Sequence, residues 1–379
     1  MKGIELSWKI YHLTDYPFPT SQFIDMEDKD IRNNGRLFCK DIVEAEFKRL
    51  QEMLNLKSPV IYIGSGKSVL GLGKSALMAA SYWQMIDAGL DALWINATGG
   101  YAMSPTLGRI IDEMVNKGYI KRIKDAVDTS SIDVLSNALS TVVQRPSKLK
   151  TSALQKILSV PDEEVAKKYA NIRRSIRIYD TTDLFKYLLA LLHSIGITHL
   201  YFFIDQFEEY IMGHTGAAGL RKLGDEVNDL FRSSSKFSTL VFPLHPDAQK
   251  LMQTAAMEYA TTLAPLSENI IVLLPMSEEN AVKMTKYFLD SFRDDESYKG
   301  SLIPFEETIV RYIAYKCEFN QRHFLSLLGR ALQESRNIGR KQVDVEFVSK
   351  DENHRRIFGA VTNECDAFAK KTRGAVQSD

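Results

Sequence analysis

The sequence predicts an α/β protein: a three-layer domain built on a parallel sheet, followed by an all-helical domain. Three observations carry that prediction. Short apolar runs alternate with helical patterns from Val60 to Leu274. A glycine-rich turn ending in Lys-Ser joins the first apolar run to a helical one. From Met276 onward the strand pattern stops and amphipathic helical patterns replace it.

The elements follow in chain order. Residues 1–36 are rich in aromatics and turn formers, among them Trp8, Tyr11, Tyr16-Pro17-Phe18-Pro19, Phe23 and Asn33-Asn34-Gly35, and read as an irregular arm. Packing against the core and walling a nucleotide base are both open to such a segment. A helix over Lys40–Leu54 is predicted by Ile42, Val43, Phe47, Leu50 and Leu54. Strands are predicted near Val60–Ile63, Ala92–Asn96, His199–Ile204, Thr239–Leu244 and Asn269–Leu274. Each is short and rich in Val, Ile, Leu, Phe or Tyr, as strands buried on both faces are. Helices are predicted between them, at Lys74–Ala88, Pro105–Lys117, Leu184–Ile195, Gly219–Ser233 and Ala248–Tyr259. This alternation places residues 37–275 in one α/β domain with ligands at the carboxyl ends of its strands.

Residues 119–180 break the rhythm and read as short helices with a basic face. Arg145–Arg177 holds Lys148, Lys150, Lys156, Lys167, Lys168, Arg173 and Arg174 against only Asp162, Glu163 and Glu164 among the acids. A solvated surface and a contact with nucleic acid or an acidic partner both fit. Helices over Glu278–Phe292, Phe305–Cys317, Gln321–Arg336 and Asp344–Lys370 make residues 276–379 a helical lid domain.

Composition bounds the function classes. The 379 residues are 45% hydrophobic and 25% charged, which is globular composition sufficient for two or three domains. Lysine plus arginine balances aspartate plus glutamate at 48 each, so no global basic field draws nucleic acid. Cys39, Cys317 and Cys365 stand apart without metal-ligand spacing and suit a reducing interior. No apolar run is long enough to cross a bilayer, so a cytoplasmic protein without a membrane role is expected.

The chemistry begins at Gly71-Leu72-Gly73-Lys74-Ser75, set between the apolar run Val60–Ile63 and the helical run from Ala76. Strand, glycine-rich turn, Lys-Ser and helix is the layout of a phosphate-binding P-loop. Glycines let backbone N–H groups curl around a phosphate, and the helix N-terminus adds partial positive charge. Ser68, Gly71, Leu72, Gly73, Lys74, Ser75 and Ala76 form the expected cradle for ATP or ADP. Lys74 would reach the β- and γ-phosphates and Ser75 would hold Mg²⁺. Ser68 stands where the pattern has its first glycine. Gly64-Ser65-Gly66-Lys67-Ser68 is a rival Lys-Ser, weakened by Ile61 at its first position. Downstream, Tyr201-Phe202-Phe203-Ile204-Asp205 is an apolar run ending in a carboxylate suited to Mg²⁺. Glu208 and Glu209 follow within a turn, where a carboxylate can orient or deprotonate an attacking water. Glu208 is favoured over Glu209.

This arrangement resembles the AAA+ branch of P-loop ATPases over residues 37–340, in particular the archaeal origin-recognition-like initiators and related STAND or defence-type ATPases. The resemblance rests on the Gly71–Ser75 turn and on Phe203-Ile204-Asp205-Gln206-Phe207-Glu208-Glu209, and adds two segments. Thr239–Pro246 resembles the strand that ends in a polar γ-phosphate sensor, which makes His245 the candidate. Phe319-Asn320-Gln321-Arg322-His323-Phe324-Leu325 resembles the sensor segment of the small domain, which would put Arg322 over the phosphates. The resemblance implies a P-loop NTPase sheet followed by a helical lid, with ATP between them. It also implies ATP hydrolysis, Mg²⁺, and a protein partner or a second copy. The roles would be those of a nucleotide-controlled switch or assembly factor, with DNA as a further partner through the basic insertion. Three departures mark this chain. Gln206 stands where the family's catalytic glutamate follows the aspartate. Met257–Glu268, where an arginine finger is expected, holds neither Arg nor Lys. The stretch after Arg340 is short for a winged-helix DNA reader. Gln206 and the missing arginine finger motivate an alternative: a non-hydrolysing, nucleotide-holding scaffold or interaction module in a defence or signalling pathway.

Overall fold

The computed structural model describes residues 8–21, 23–65, 71–97, 103–175, 178–213, 216–219, 221, 236–259, 269–359 and 361–369. The chain divides into two compact units. The sheet unit comprises Glu46–Ser68 and Ser81–Val272. The loop-and-lid unit comprises Met1–Ala45, Val69–Ala80 and Leu273–Asp379.

In the sheet unit, five strands form one sheet: β1 Val60–Ser65, β2 Ala92–Asn96, β3 Leu200–Asp205, β4 Ser238–Pro243 and β5 Ile270–Leu273. Their order is β2-β3-β4-β1-β5. The β1–β4, β2–β3 and β3–β4 pairings are parallel. Every residue of β1, β3 and β4 is buried, as their unbroken apolar runs require of inner strands. The edge strand β5 alternates, with Val272 exposed. Outgoing connections from the adjacent strands β1 and β4 leave in opposite directions, toward β2 and β5. That is a topological switch point, where open α/β sheets bind ligands at the strand carboxyl ends.

Among the described residues, the first two-thirds of the chain also carries helices α1 Glu44–Asn55, α2 Lys74–Asp87, α3 Met103–Asn116, α4 Tyr119–Ala126, α5 Ile132–Ser140, α6 Lys148–Leu158, α7 Asp162–Ser175, α8 Ile178–Ser194, α9 Phe207–Met212 and α10 Pro246–Tyr259. The segment expected to be short helices is indeed α4 to α7. Ile120, Ile123, Leu139, Leu154, Ile157 and Tyr169 form one core with Leu184, Phe185 and Leu188 of α8. Ser131 caps α5 by accepting from Val134 N, and Lys124 pairs with Asp162. Lys148, Lys156 and Lys167 are exposed. Most of the expected Gly219–Ser233 helix lies outside the described residues.

The loop-and-lid unit carries α11 Glu278–Asp290, α12 Glu307–Lys316, α13 Gln321–Asn337 and α14 Asp351–Phe358. Their inner faces supply Phe288, Leu289, Ile309, Tyr312, Phe324 and Leu328 to one core. Tyr11, Leu13 and Phe18 of the N-terminal arm are buried in that same core. Tyr11 Oη donates to Arg340 O, and the Arg336 guanidinium lies 4.0 Å from the Trp8 ring centroid. The helix expected over Asp344–Lys370 is broken. A single turn, Val345–Val348, is capped by Asp344, which accepts from Phe347 N. Lys350 then turns extended before α14 begins, and Gly359 ends α14 with φ 73°. Among the described residues no helix is long and apolar enough to cross a membrane.

Candidate functional site

Gly71 and Gly73 adopt φ of 87° and 85°, a left-handed backbone open to glycine at little cost. They bring the chain to Lys74 and Ser75, the first residues of α2, whose opening bond runs from Leu77 N to Gly73 O. Lys74 is 6% exposed, Leu72 is buried, and Ser75 and Ala76 are half-buried. The residues expected to form the cradle, from Gly71 to Ala76, thus comprise two left-handed glycines leading into a buried lysine at the start of a helix. Ser68 lies outside the described residues.

In the same unit the start of α13 is seated on this turn. Glu318 and Phe319 have φ of 51° and 59°, and Phe319 O accepts from Met276 N. This left-handed pair swings Asn320 into the N-cap position, where its side chain accepts from His323 N at 3.2 Å. Arg322 N donates to Gly71 O at 3.1 Å, so a loop carbonyl satisfies one of the helix's open N–H groups. A methyl group on Gly71 would stand 2.5 Å from Asn320 Oδ1, and one on Gly73 would stand 2.5 Å from Gln321 Oε1. The two glycines thus answer both a backbone and a packing demand. The Arg322 guanidinium is directed to the arm, 5.8 Å from the Phe23 ring centroid.

In the sheet unit, β3 delivers Asp205 to the strand end in register with Asn96 of β2. Asp205 is 5% exposed; its Oδ1 accepts from Gln206 N at 3.0 Å. Gln206 has φ 59°, a sharp turn that starts α9 one residue later. Phe207 anchors that turn with its ring 4.3 Å from Phe242 of β4. Gln206 Oε1 is buried with no hydrogen-bond partner among the described residues. Glu208 is half-buried on the first turn of α9, and Glu209 is on the same helix. His245 follows β4, the strand beside β3. Its Nδ1 accepts from Asp247 N at 3.3 Å, so the ring sits on the start of α10. Arg109 of α3 donates to Asn96 O at the end of β2. The structure therefore places Asp205, Gln206, Glu208 and His245 at and just beyond the carboxyl ends of the neighbouring strands β3 and β4, and Gly71–Ala76 with Asn320, Gln321 and Arg322 in the other unit. Among the described residues no three His, Cys, Asp or Glu side chains cluster as a metal site.

Sequence reasoning passed over Gln321 and Asn320. The signal was present: two glycines in a Gly-x-Gly turn call for a close neighbour as well as a tight backbone, and Asn320 is an N-cap residue ahead of an amphipathic run.

No protein-family model matches the chain, and no curated protein matches it. Among solved structures, the chain is similar to the ORC2 protein of Aeropyrum pernix. The structure of its ADPNP-ADP complexes matches with a TM-score of 0.49 and 12% identity, over 91% of this chain and 71% of that one. Its ADP form matches with a TM-score of 0.47 and 12% identity, over 95% and 74%.

Proposed function

We propose that the chain binds ATP and ADP at the Gly71–Ser75 turn and hydrolyses ATP with Mg²⁺, as a nucleotide-controlled switch or assembly factor of the AAA+ type. One observation carries this reading: two left-handed glycines lead directly into a buried lysine at the N-terminus of α2. N–H groups and a cation converge there, which is the chemistry a polyphosphate needs. Ser68, Leu72 and Ala76 flank the cradle. Lys74 holds the phosphates, and Ser75 and Asp205 are the metal-side residues, both oxygen donors of the kind Mg²⁺ takes. When bound, Mg²⁺ would neutralise charge on the phosphates. Glu208 orients or deprotonates the attacking water, with Glu209 as the alternate base. His245 and Arg322 are assigned to γ-phosphate sensing. A second copy or another protein is the expected partner, in the cytoplasm.

The test is nucleotide released from heat-denatured purified protein, with ATP turnover measured beside it. Lys74→Ala abolishes the bound nucleotide, while Glu208→Gln keeps it and stops turnover. Normal hydrolysis in both variants refutes the assignment. A second reading, a nucleotide-holding scaffold in defence or signalling, is favoured by Gln206 following Asp205; it predicts bound nucleotide without turnover. Duplex or single-stranded DNA binding through Lys148, Lys156 and Lys167 requires a steep fall of affinity with salt.

A further inference from the structure

Gln321 is the first residue of α13 and is 7% exposed. Its carboxamide lies over the Gly73 α-carbon, with Oε1 2.5 Å from where a β-carbon would stand. No hydrogen bond holds that carboxamide among the described residues. A carboxamide offers two N–H donors and an acceptor, which leaves Gln321 able to bond a ligand beside the turn. Its neighbour Asn320 shows the contrast: that amide is committed to His323 N as a cap. The Arg322 guanidinium is engaged at the Phe23 ring. Of the three side chains at the start of α13, Gln321 is the one whose polar end meets the turn without a partner of its own.

We propose that Gln321 donates a carboxamide N–H to a phosphate oxygen of the nucleotide held by Lys74, as a contact from the lid to the phosphate chain in addition to Arg322. This rests on the nucleotide-binding reading above. The backbone fixes the approach, because the Arg322 N to Gly71 O bond sets the first turn of α13 against the glycines. The side chain that emerges at position 321 has its polar end over the residue just ahead of Lys74. Glutamine has the donor needed for an anion; glutamate at the same place would set a carboxylate against phosphate charge.

The experiment measures the affinity of fluorescent ATP and ADP for the full chain as wild type, Gln321→Ala and Gln321→Glu. The urea midpoint of each protein without nucleotide is measured alongside. A hydrogen bond to a charged group predicts an affinity loss of roughly tenfold or more for Gln321→Ala. Gln321→Glu loses more, and loses more for ATP than for ADP, while both midpoints stay at the wild-type value. Unchanged affinity in Gln321→Ala overturns the proposal. So does a loss that tracks a lowered midpoint, since that marks a structural residue. If wild type binds neither nucleotide, the function proposed above fails, and this assignment with it. If wild type binds and Gln321→Ala binds equally well, only the assignment fails.

Discussion

Replacing Gly71 by alanine tests whether the turn is shaped by its own backbone or by the helix seated on it. At φ 87° an L-residue costs about 1–2 kcal/mol, offset by about 0.4–1 kcal/mol of lost unfolded-state freedom. The added methyl meets Asn320 Oδ1 at 2.5 Å and Arg322 Cβ at 3.0 Å. Asn320 is 4% exposed and held by its cap bond, so relief requires breaking that cap, worth about 1 kcal/mol. The sum is roughly 1–2.5 kcal/mol of lost stability, about 1 kcal/mol of it from the cap. Gly339→Ala is the matched control in the same unit: φ is 70°, and nothing lies within 4 Å of the added carbon. It should lose about 1 kcal/mol or less. Urea unfolding without nucleotide measures both. Adding Asn320→Ala to Gly71→Ala removes the obstructing carboxamide, so the two losses combine less than additively. Equal losses for Gly71→Ala and Gly339→Ala, or strict additivity with Asn320→Ala, refute the packing argument.

Three further outcomes are expected. Burial chiefly, and the Lys57 charge secondarily, push the His199 imidazole down from 6.5 to about 4 while it bonds Thr239 Oγ1. The unfolded chain therefore takes up the proton first. This stabilisation is complete above about pH 6.5 and is lost as pH falls toward 4, on the order of 3 kcal/mol in all, so His199→Gln should show a shallower acid loss of the urea midpoint than wild type. Phe324, fully buried on α13, should cost about 3–5 kcal/mol on truncation to alanine, measured by the same unfolding. Gln206→Leu, which removes the orphaned buried oxygen, should leave the midpoint unchanged or raise it; a fall of more than about 1 kcal/mol would show that the oxygen has a structural partner.

All five strands were legible to within two residues, because each carries a short run of Val, Ile, Leu, Phe or Tyr, which the inner strands β1, β3 and β4 need on both faces. Helix α2 was legible from the Lys-Ser that starts it. The left-handed residues Glu318, Phe319 and Gln206 were not, since nothing in a glutamate, phenylalanine or glutamine announces a conformation that the surrounding packing imposes. The break at Ser349-Lys350 was hidden for a similar reason: Asp344–Lys370 keeps a helical apolar spacing across it, and only the cap geometry separates the pieces. Of the candidate site, the residues that bear charge were named from sequence. The carboxamides of Asn320 and Gln321 were not singled out, because their placement depends on a turn some 250 residues away, far beyond any local pattern.

The burial of Tyr11, Leu13 and Phe18 among α11, α12 and α13 bears on how the chain is made. Those arm residues leave a ribosome well before most of the side chains that enclose them, which run from Met276 onward. The sheet unit, by contrast, has all of its strands once Leu273 is synthesised. Folding during synthesis would therefore proceed from the middle outward, with the arm exposed until the last helices appear. A fragment ending near residue 275 would carry three large apolar side chains with no core to enter, and its aggregation would say nothing about the sheet.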